Sequence, residues 1–207
     1  MRSGLKTAVQ LVGWALPWVA RRFILKRVLG YQVHSKAFVG RSIILANSVA
    51  LDEGALIGNW NVLKNLDRLE MRSHSSITSR NLVTASGVPL RDESGETCQR
   101  ELILEEHSAI TIGHLIDANH SIVIGRFSTV AGYGSQLLTH SIDLVDCEQR
   151  AKRIKIGQYC FVGTRCVLLG GAALPDHCVL GAMSLLNKEF VDGFRLYGGT
   201  PARERKQ

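Results

Sequence analysis

The sequence predicts an all-β fold, a parallel β-helix wound from six-residue units behind a short helical arm, and three observations predict it. Val33, Val39, Leu45, Leu51, Ile57, Leu63 and Leu69 are aliphatic and stand six apart, as do Ile156, Val162, Leu168, Leu174, Leu180 and Leu186. Leu, Ile and Val make up 57 of 207 residues, so a chance run of six has a probability on the order of a few in ten thousand. Four places after most of these aliphatics stands a small residue: Ala37, Ala55, Ser73, Cys160, Cys166, Ala172, Cys178 and Ser184. Glycine follows the aliphatic directly at Gly40, Gly58, Gly157, Gly163 and Gly181. One such unit makes a short strand and a turn. The aliphatic points inward and the small residue lets the chain bend without crowding the interior. A β-sandwich would alternate with period two and vary in spacing, which these runs do not.

Residues 5–29 precede the period and differ from it. No charge interrupts the 14 residues from Thr7 to Ala20, Trp14 and Trp18 lie within them, and Arg21, Arg22, Lys26 and Arg27 follow. A membrane crossing takes about twenty apolar residues, and Pro17 interrupts the helix, so this is not a transmembrane span. Two readings stay open. One is an interfacial helix with indoles at headgroup depth and the basic cluster near anionic lipid; the other is a helix that caps the end of the solenoid.

A middle stretch repeats the hexad more weakly, through Ile112-Gly113, Ala118, Ile124-Gly125 and Val130. Two segments leave it. Residues 85–100 carry turn formers and mixed charge, and residues 142–153 form a second protruding loop. The division that follows is an arm over 1–30, a repeat domain over 31–190 and a basic tail over 191–207, with the arm and the stretch from Phe190 onward placed to cap the terminal coils.

Composition narrows the function. Apolar residues are 45% and charged residues 21% of the chain, so a packed core forms and whole-chain disorder is excluded. Lys and Arg outnumber Asp and Glu by 25 to 18, a net charge of +7 that suits an anionic partner without choosing one. Nucleic acid is disfavoured, because aromatics are only 6% of residues and give no stacking platform. Cys98, Cys147, Cys160, Cys166 and Cys178 are odd in number and hold no C-x-x-C pair, which reads as a reducing, cytoplasmic setting. The last three read as small apolar filler.

The runs Ile156–Val167 and Leu174–Leu185 and the ending Tyr197-Gly-Gly-Thr-Pro-Ala-Arg203 resemble the closing coils of hexapeptide-repeat acyltransferases. Sugar O-acetyltransferases are similar, and acyltransferases of bacterial surface-polysaccharide clusters more so. The resemblance covers about Ile112 to Arg203, although Thr200 stands where the family ending has Asn. It implies left-handed coiling and a homotrimer. It also implies transfer of acetyl from acetyl-CoA to a hydroxyl of a sugar or glycan precursor in the cytoplasm, peripheral to the inner membrane if residues 5–29 meet lipid.

The resemblance further implies roles for single residues. In Thr139-His140-Ser141-Ile142-Asp143, His140 matches the family's general base. An alcohol is too weak an acid to attack a thioester at pH 7, and an imidazole with an ordinary pKa of about 6.5 can take its proton. Backbone N–H groups would stabilise the oxyanion. The sequence does not identify the group that orients the ring, and Asp143 is too close along the chain to be assumed. Asp117 matches an aspartate that contacts the acceptor sugar, with Asn119 beside it. Thr164, Gly181, Ala182, Asn187, Lys188 and Arg203 match the coenzyme A groove, where Lys188 and Arg203 would meet phosphates.

Two other functions compete. Ile112-Gly113-His114 is similar to the second zinc ligand of hexapeptide carbonic anhydrases. Position 119 is Asn with His120 displaced by one, and the nearest upstream histidine is His74. Three ligands must converge on a catalytic zinc, and a one-residue slip in a strand reverses a side chain, so no metal is expected. A catalytically empty scaffold is the other, and the Thr-His-Ser-Ile-Asp motif argues against it.

Overall fold

Short parallel strands wind into a three-faced prism with two helices laid across its first coil. The computed structural model describes residues 3–205. One face is the sheet that begins with Phe38–Val39 and Leu56–Ile57, continues through Ser76–Ile77, Ala109–Ile110, Thr129–Val130, Phe161–Val162, Val179–Leu180 and Leu196–Gly198, and ends at the antiparallel Arg203–Arg205. The other two faces count as a single 12-stranded sheet, because the long strands Ile43–Leu51 and Val62–Met71 run through the corner between them. One of these faces starts at Ile44 and Leu63 and runs on through Val83, Ile116, Leu137, Leu168 and Leu186. The other stacks Val33, Leu51, Met71, Leu104, Ile124, Ile156 and Leu174. All of these side chains are at most 3% exposed, so one continuous aliphatic column fills the prism. Each fully buried side chain contributes about 1.5–3 kcal/mol.

The hexad holds strictly where the coils are shortest. From Ile156 to Leu186 all six periodic aliphatics are buried. The first run slips in two places. Ile44, not Leu45, turns inward, and the register shifts between Leu45 and Ala46. Leu69 is buried, but it pairs with Val49, and Met71 takes the inward place aligned with Leu51. The lengthened coil also moves the small corner residue from Ser73 to Ser75, which is fully buried. In the middle stretch Ile112 is 41% exposed, and Ile110 and Ile116 point inward instead.

Two columns hold the corners together. Ser42, Asn61, Asn81, His114 and Ser135 are buried at one corner, and each accepts the backbone N–H of the next coil: Asn61, Asn81 and His114 at 2.9 Å, Ser135 and Cys166 at 3.1 Å. Each such bond stabilises by about 1 kcal/mol and leaves no buried N–H unpaired. At another corner His74, His107, Phe127, Tyr159, His177 and Phe194 all have φ between 54° and 57°. Their rings stack in one ladder with centroids 4.4–5.1 Å apart. A left-handed non-glycine residue costs about 1 kcal/mol or more, and each stacked pair offsets about 0.5–1.5 kcal/mol.

The ends are closed by different means. α1 (Ser3–Gly13) and α2 (Trp18–Arg27) are separated at Pro17, whose fixed φ and missing N–H suit the residue before a helix. Gln10 is buried against the first coil, where Nε2 donates to Ile44 O at 2.9 Å and Oε1 accepts from Ile44 N at 2.9 Å. One side chain thus pairs both backbone groups that no earlier coil can reach. Among the described residues no helix is long and apolar enough to cross a membrane. At the far end the division at residue 190 is corrected. Leu196–Gly198 is the last strand of a prism face, pairing with Val179–Leu180, so the solenoid continues into the segment read as a tail. Tyr197 is 2% exposed and stacks on Phe190 at 4.0 Å, where an aromatic fills the open end better than an aliphatic would.

Candidate active site

Both interruptions of the hexad rise from the same corner of the prism, on either side of one coil. The strand Leu115–Asp117 pairs with Leu82–Thr84 before it and with Gln136–Leu138 after it. Residues 85–100 leave from the former, and the chain past Leu138 leaves from the latter. The second excursion is a hairpin in place of a loop, His140–Asp143 against Glu148–Ala151, with His140 opposite Ala151. The two excursions touch, for Ala151 N donates to Arg91 O at 3.1 Å and Lys152 pairs with Glu93 at 2.6 Å.

His140 stands at the foot of that hairpin with its side chain 39% exposed. Its Nδ1 lies 2.6 Å from Asp117 Oδ2. The carboxylate cannot donate, so Nδ1 carries the proton and donates it to Asp117, leaving the Nε2 lone pair free. Nε2 has no partner among the described residues. Asp117 is itself fixed. Its Oδ2 accepts the backbone N–H groups of Thr139 and His140, each at 3.2 Å. Its Oδ1 accepts Nδ2 of Asn119. Thr139 Oγ1 donates to the Asp117 carbonyl at 2.8 Å, which ties the hairpin's foot to the coil below.

Asn119 is held in turn. Its Oδ1 accepts Ser86 N at 2.8 Å, so the amide must aim Nδ2 at Asp117. The Ser86 carbonyl accepts from Arg100 at 3.0 Å, and Arg100 forks onto Asp67 through contacts of 2.9 and 2.6 Å. That pairing holds the Asp67 carboxyl below the usual carboxylate range. A hydrogen-bonded line therefore runs from an ion pair at the first excursion to the imidazole at the second.

This geometry shows what Asp117 and Asn119, expected as acceptor contacts, pair with inside the chain. Asp117 is 9% and Asn119 3% exposed, and their polar atoms are spent on the ring and on Ser86. Asp143 lies at the hairpin tip, where Oδ1 accepts Val145 N at 2.9 Å; such backbone bonds lower its pKa, and it does not touch His140. Thr164, Gly181 and Ala182 follow the strands Phe161–Val162 and Val179–Leu180, at the corner after the first-described face, and Thr164 Oγ1 donates to Tyr133 O at 2.9 Å. Asn187 and Lys188 follow Leu185–Leu186, at the corner of His140 and two coils on. Lys188 lies 5.1 Å over the Phe190 ring, and Arg203 is exposed on the final strand Arg203–Arg205. One chain thus divides the groove candidates between two corners. Beside the hairpin's foot a cleft of about 320 Å³ is lined by Lys152, Arg153 and Lys155 with Glu189, a basic cluster that motif reading passed over.

Ser86 was also outside the motif reading, and Thr139 stood in the motif without a role. Coil register was the available signal: Ile116 and Leu137 occupy equivalent inward places, which sets Asp117 beside Leu138 and within reach of His140.

The zinc reading meets a different geometry. His114 is 2% exposed in the corner ladder, its Nδ1 accepts from Ser135 N, and its Nε2 lies 3.0 Å from Thr111 Oγ1. Burial lowers its pKa to about 4, so the ring is neutral and structural. No group of three or more potential metal ligands occurs among the described residues. The three thiols of the closing coils are equally unreactive, since burial pushes Cys160 up to about 11 and raises Cys166 and Cys178.

No protein-family model matches the chain, and no curated protein matches it. Solved structures do. A hexapeptide-repeat-containing acetyltransferase from Vibrio cholerae O1 biovar eltor, complexed with acetyl-CoA, aligns with 99% of this chain and 84% of its own at 20% identity and a TM-score of 0.51. The polysialic acid O-acetyltransferase OatWY aligns with 86% of this chain and 84% of its own at 17% identity and a TM-score of 0.56. A mutant of AntD, an N-acyltransferase from Bacillus cereus in complex with dTDP-4-amino-4,6-dideoxyglucose and coenzyme A, aligns with 81% and 83% at 13% identity and a TM-score of 0.52. The fold of this chain is the left-handed parallel β-helix of these proteins.

Proposed function

We propose that this protein is an acyl-CoA-dependent O-acyltransferase that moves acetyl from acetyl-CoA to a hydroxyl of a sugar or glycan precursor, with His140 as general base. The observation that carries the reading is the 2.6 Å contact between His140 Nδ1 and Asp117 Oδ2, which leaves Nε2 as the open acceptor at the prism corner. Nε2 takes the hydroxyl proton as the oxygen bonds to the thioester carbonyl carbon. The Asp117 carboxylate faces the positive charge that the ring then carries. As the carbon–sulfur bond breaks, Nε2 returns the proton to the departing thiolate, so the ring ends neutral and no side chain is acylated. General base catalysis of this kind is worth about 10²–10⁴ in rate.

Asp117 and Asn119 position the base in this reading, and the acceptor meets the outer surfaces of the two excursions. Thr164, Gly181, Ala182, Asn187, Lys188 and Arg203 remain the donor candidates, joined by Lys152, Arg153 and Lys155 for the phosphates. Because those residues occupy two corners, a complete donor groove needs the corner of one copy to face a different corner of the next. A homotrimer supplies that arrangement. Acetyl-CoA bound to the Vibrio cholerae neighbour and the O-acetyltransferase activity in the name of OatWY support the choice of donor and reaction. The five free thiols, four of them buried, fit a cytoplasmic setting.

Thioester loss from acetyl-CoA, followed against a panel of sugar acceptors, tests the proposal. The wild type should show acceptor-dependent loss, and His140→Ala should reduce it at least a hundredfold while the fold is kept. A folded His140→Ala protein with wild-type turnover overturns the assignment.

A further inference from the structure

The helical arm is amphipathic in the reverse of the usual sense. In α1 the polar side chains turn toward the protein, where Gln10 pairs with Ile44 and Lys6 Nζ donates to Ala46 O at 3.0 Å. The opposite side of the helix, facing away from the prism, presents Leu5, Ala8, Leu11 and Val12, with Leu5 56% and Val12 74% exposed, and Leu16 is exposed in the turn that follows. α2 continues this surface with Val19 at 73% and Phe23 at 62%. Packing against the first coil does not account for these positions, because the arm's own contacts with it run through Lys6, Gln10, Trp18, Arg21, Arg22, Leu25 and Leu29.

Charge identifies what covers the surface. Arg2, Lys6, Arg21, Arg22, Lys26, Arg27, Lys36 and Arg41 precede Asp52, the first acidic residue, so the whole excess of +7 lies in the first quarter of the chain. The rest holds 17 basic residues against 18 acidic ones and is close to neutral. Lys26 and Arg27 are exposed at the end of α2, beside Phe23. An apolar strip without polar interruption, bordered only by cations, matches the boundary of a bilayer containing anionic lipid, where acyl chains take the strip and headgroups take the cations. A second copy of the arm would bring cations against cations.

We propose that α1 and α2 form a docking surface for an anionic lipid bilayer while capping the solenoid. Gln10 pairs with the free backbone of the first coil on one side, and Val12 and Phe23 meet lipid on the other. The first coil then lies nearest the bilayer, and the excursions that hold His140 project into the aqueous phase several coils away. This surface is independent of the acyl transfer proposed above, and its test uses no activity assay.

The experiment is co-sedimentation of the full chain with vesicles of phosphatidylcholine alone and of phosphatidylcholine with phosphatidylglycerol, alongside measurement of thermal midpoint and assembly mass. The wild type should pellet with the anionic vesicles and not with phosphatidylcholine alone, and 1 M salt should release much of it, since screening shortens to about 3 Å. Val12→Asp combined with Phe23→Asp, both at exposed positions, should lower the partition coefficient at least about tenfold with unchanged midpoint and mass. Lys26→Glu with Arg27→Glu should do the same on anionic vesicles. The proposal is overturned if the wild type stays in the supernatant, if it binds both vesicle types equally, or if the variants partition as the wild type does. It is also overturned if Val12→Asp with Phe23→Asp reduces the assembly mass, which would make the strip an interface between copies.

Discussion

The coils between Ile156 and Leu186 and those between Leu82 and Ile154 are built from the same unit, yet only the second group opens into excursions. In the first, every sixth residue is a buried aliphatic and the turns are tight. In the second, the frame opens at one corner on both sides of the strand Leu115–Asp117, and the released chain returns as two excursions that clasp each other. The regular coils show what a hexad can do alone, which is to stack. The open corner shows how the same prism acquires a site: a buried turn position accommodates Asp117, and the chain freed from the period delivers His140 to it. The inward aliphatics and the open corner are separable, and substitutions in the two should fail differently.

Asp117→Asn should have the largest effect. An amide donor in place of the carboxylate favours the tautomer with the proton on Nε2, so acyl transfer should fall roughly a thousandfold with little change in KM. A loss confined to KM would return Asp117 to substrate binding. Leu168→Ala, in the regular coils, should cost about 3 kcal/mol of stability in denaturant titration and leave the turnover of folded protein near wild type. If turnover fell with it, the two regions would not be separable.

His114→Asn comes next and concerns pH. The folded ring has a pKa of about 4 against an ordinary 6.5, so the unfolded chain binds the proton first as pH falls. The stability His114 provides is whole above 6.5, declines as pH drops toward 4, and falls no further below that. Asn occupies the same corner column at Asn61 and Asn81 and can accept Ser135 N as they accept their neighbours. The substitution should therefore remove up to about 3 kcal/mol of acid-induced loss across that window. An unchanged pH dependence would show that the ring takes its proton without unfolding.

Gly170→Ala should give the smallest effect and test the hairpin's foot. A Cβ there would lie 2.6 Å from the carbonyl oxygen of Thr139, too close for both backbones to stay in place, so the chain on one side of this contact must shift. Turnover should fall about tenfold with a modest loss of stability. Wild-type turnover would mean that the foot tolerates movement without cost to the base.

Much of the fold was legible because an inward aliphatic every sixth residue is a direct imprint of the prism. The same rule explains its misreadings. The frame was carried through Leu45, Leu69 and Ile112, where lengthened or shifted coils displace the inward place to Ile44, Met71 and Ile110. A turn can absorb extra residues without changing the composition around it, so the slip leaves no local mark. His140 was legible from its motif, but its partner was not. Asp117 sits 23 positions earlier in sequence and meets the ring only because strand register stacks one coil on the next. The resemblance named Asp117 without this contact for the same reason: a motif records which residue is present, while register decides what it faces. The arm was legible as a cap, since Gln10 and Leu25 turn onto the first coil, while its outward apolar side kept the lipid reading open.

The direct test of the central claim is the tautomer of His140, read from the ring nitrogen shifts of ¹⁵N-histidine-labelled protein at neutral pH, with His140→Gln to assign the signal. The account predicts a neutral ring protonated at Nδ1, with a strongly downfield proton that disappears in Asp117→Asn. A ring protonated at Nε2, or a signal indifferent to Asp117→Asn, would contradict it.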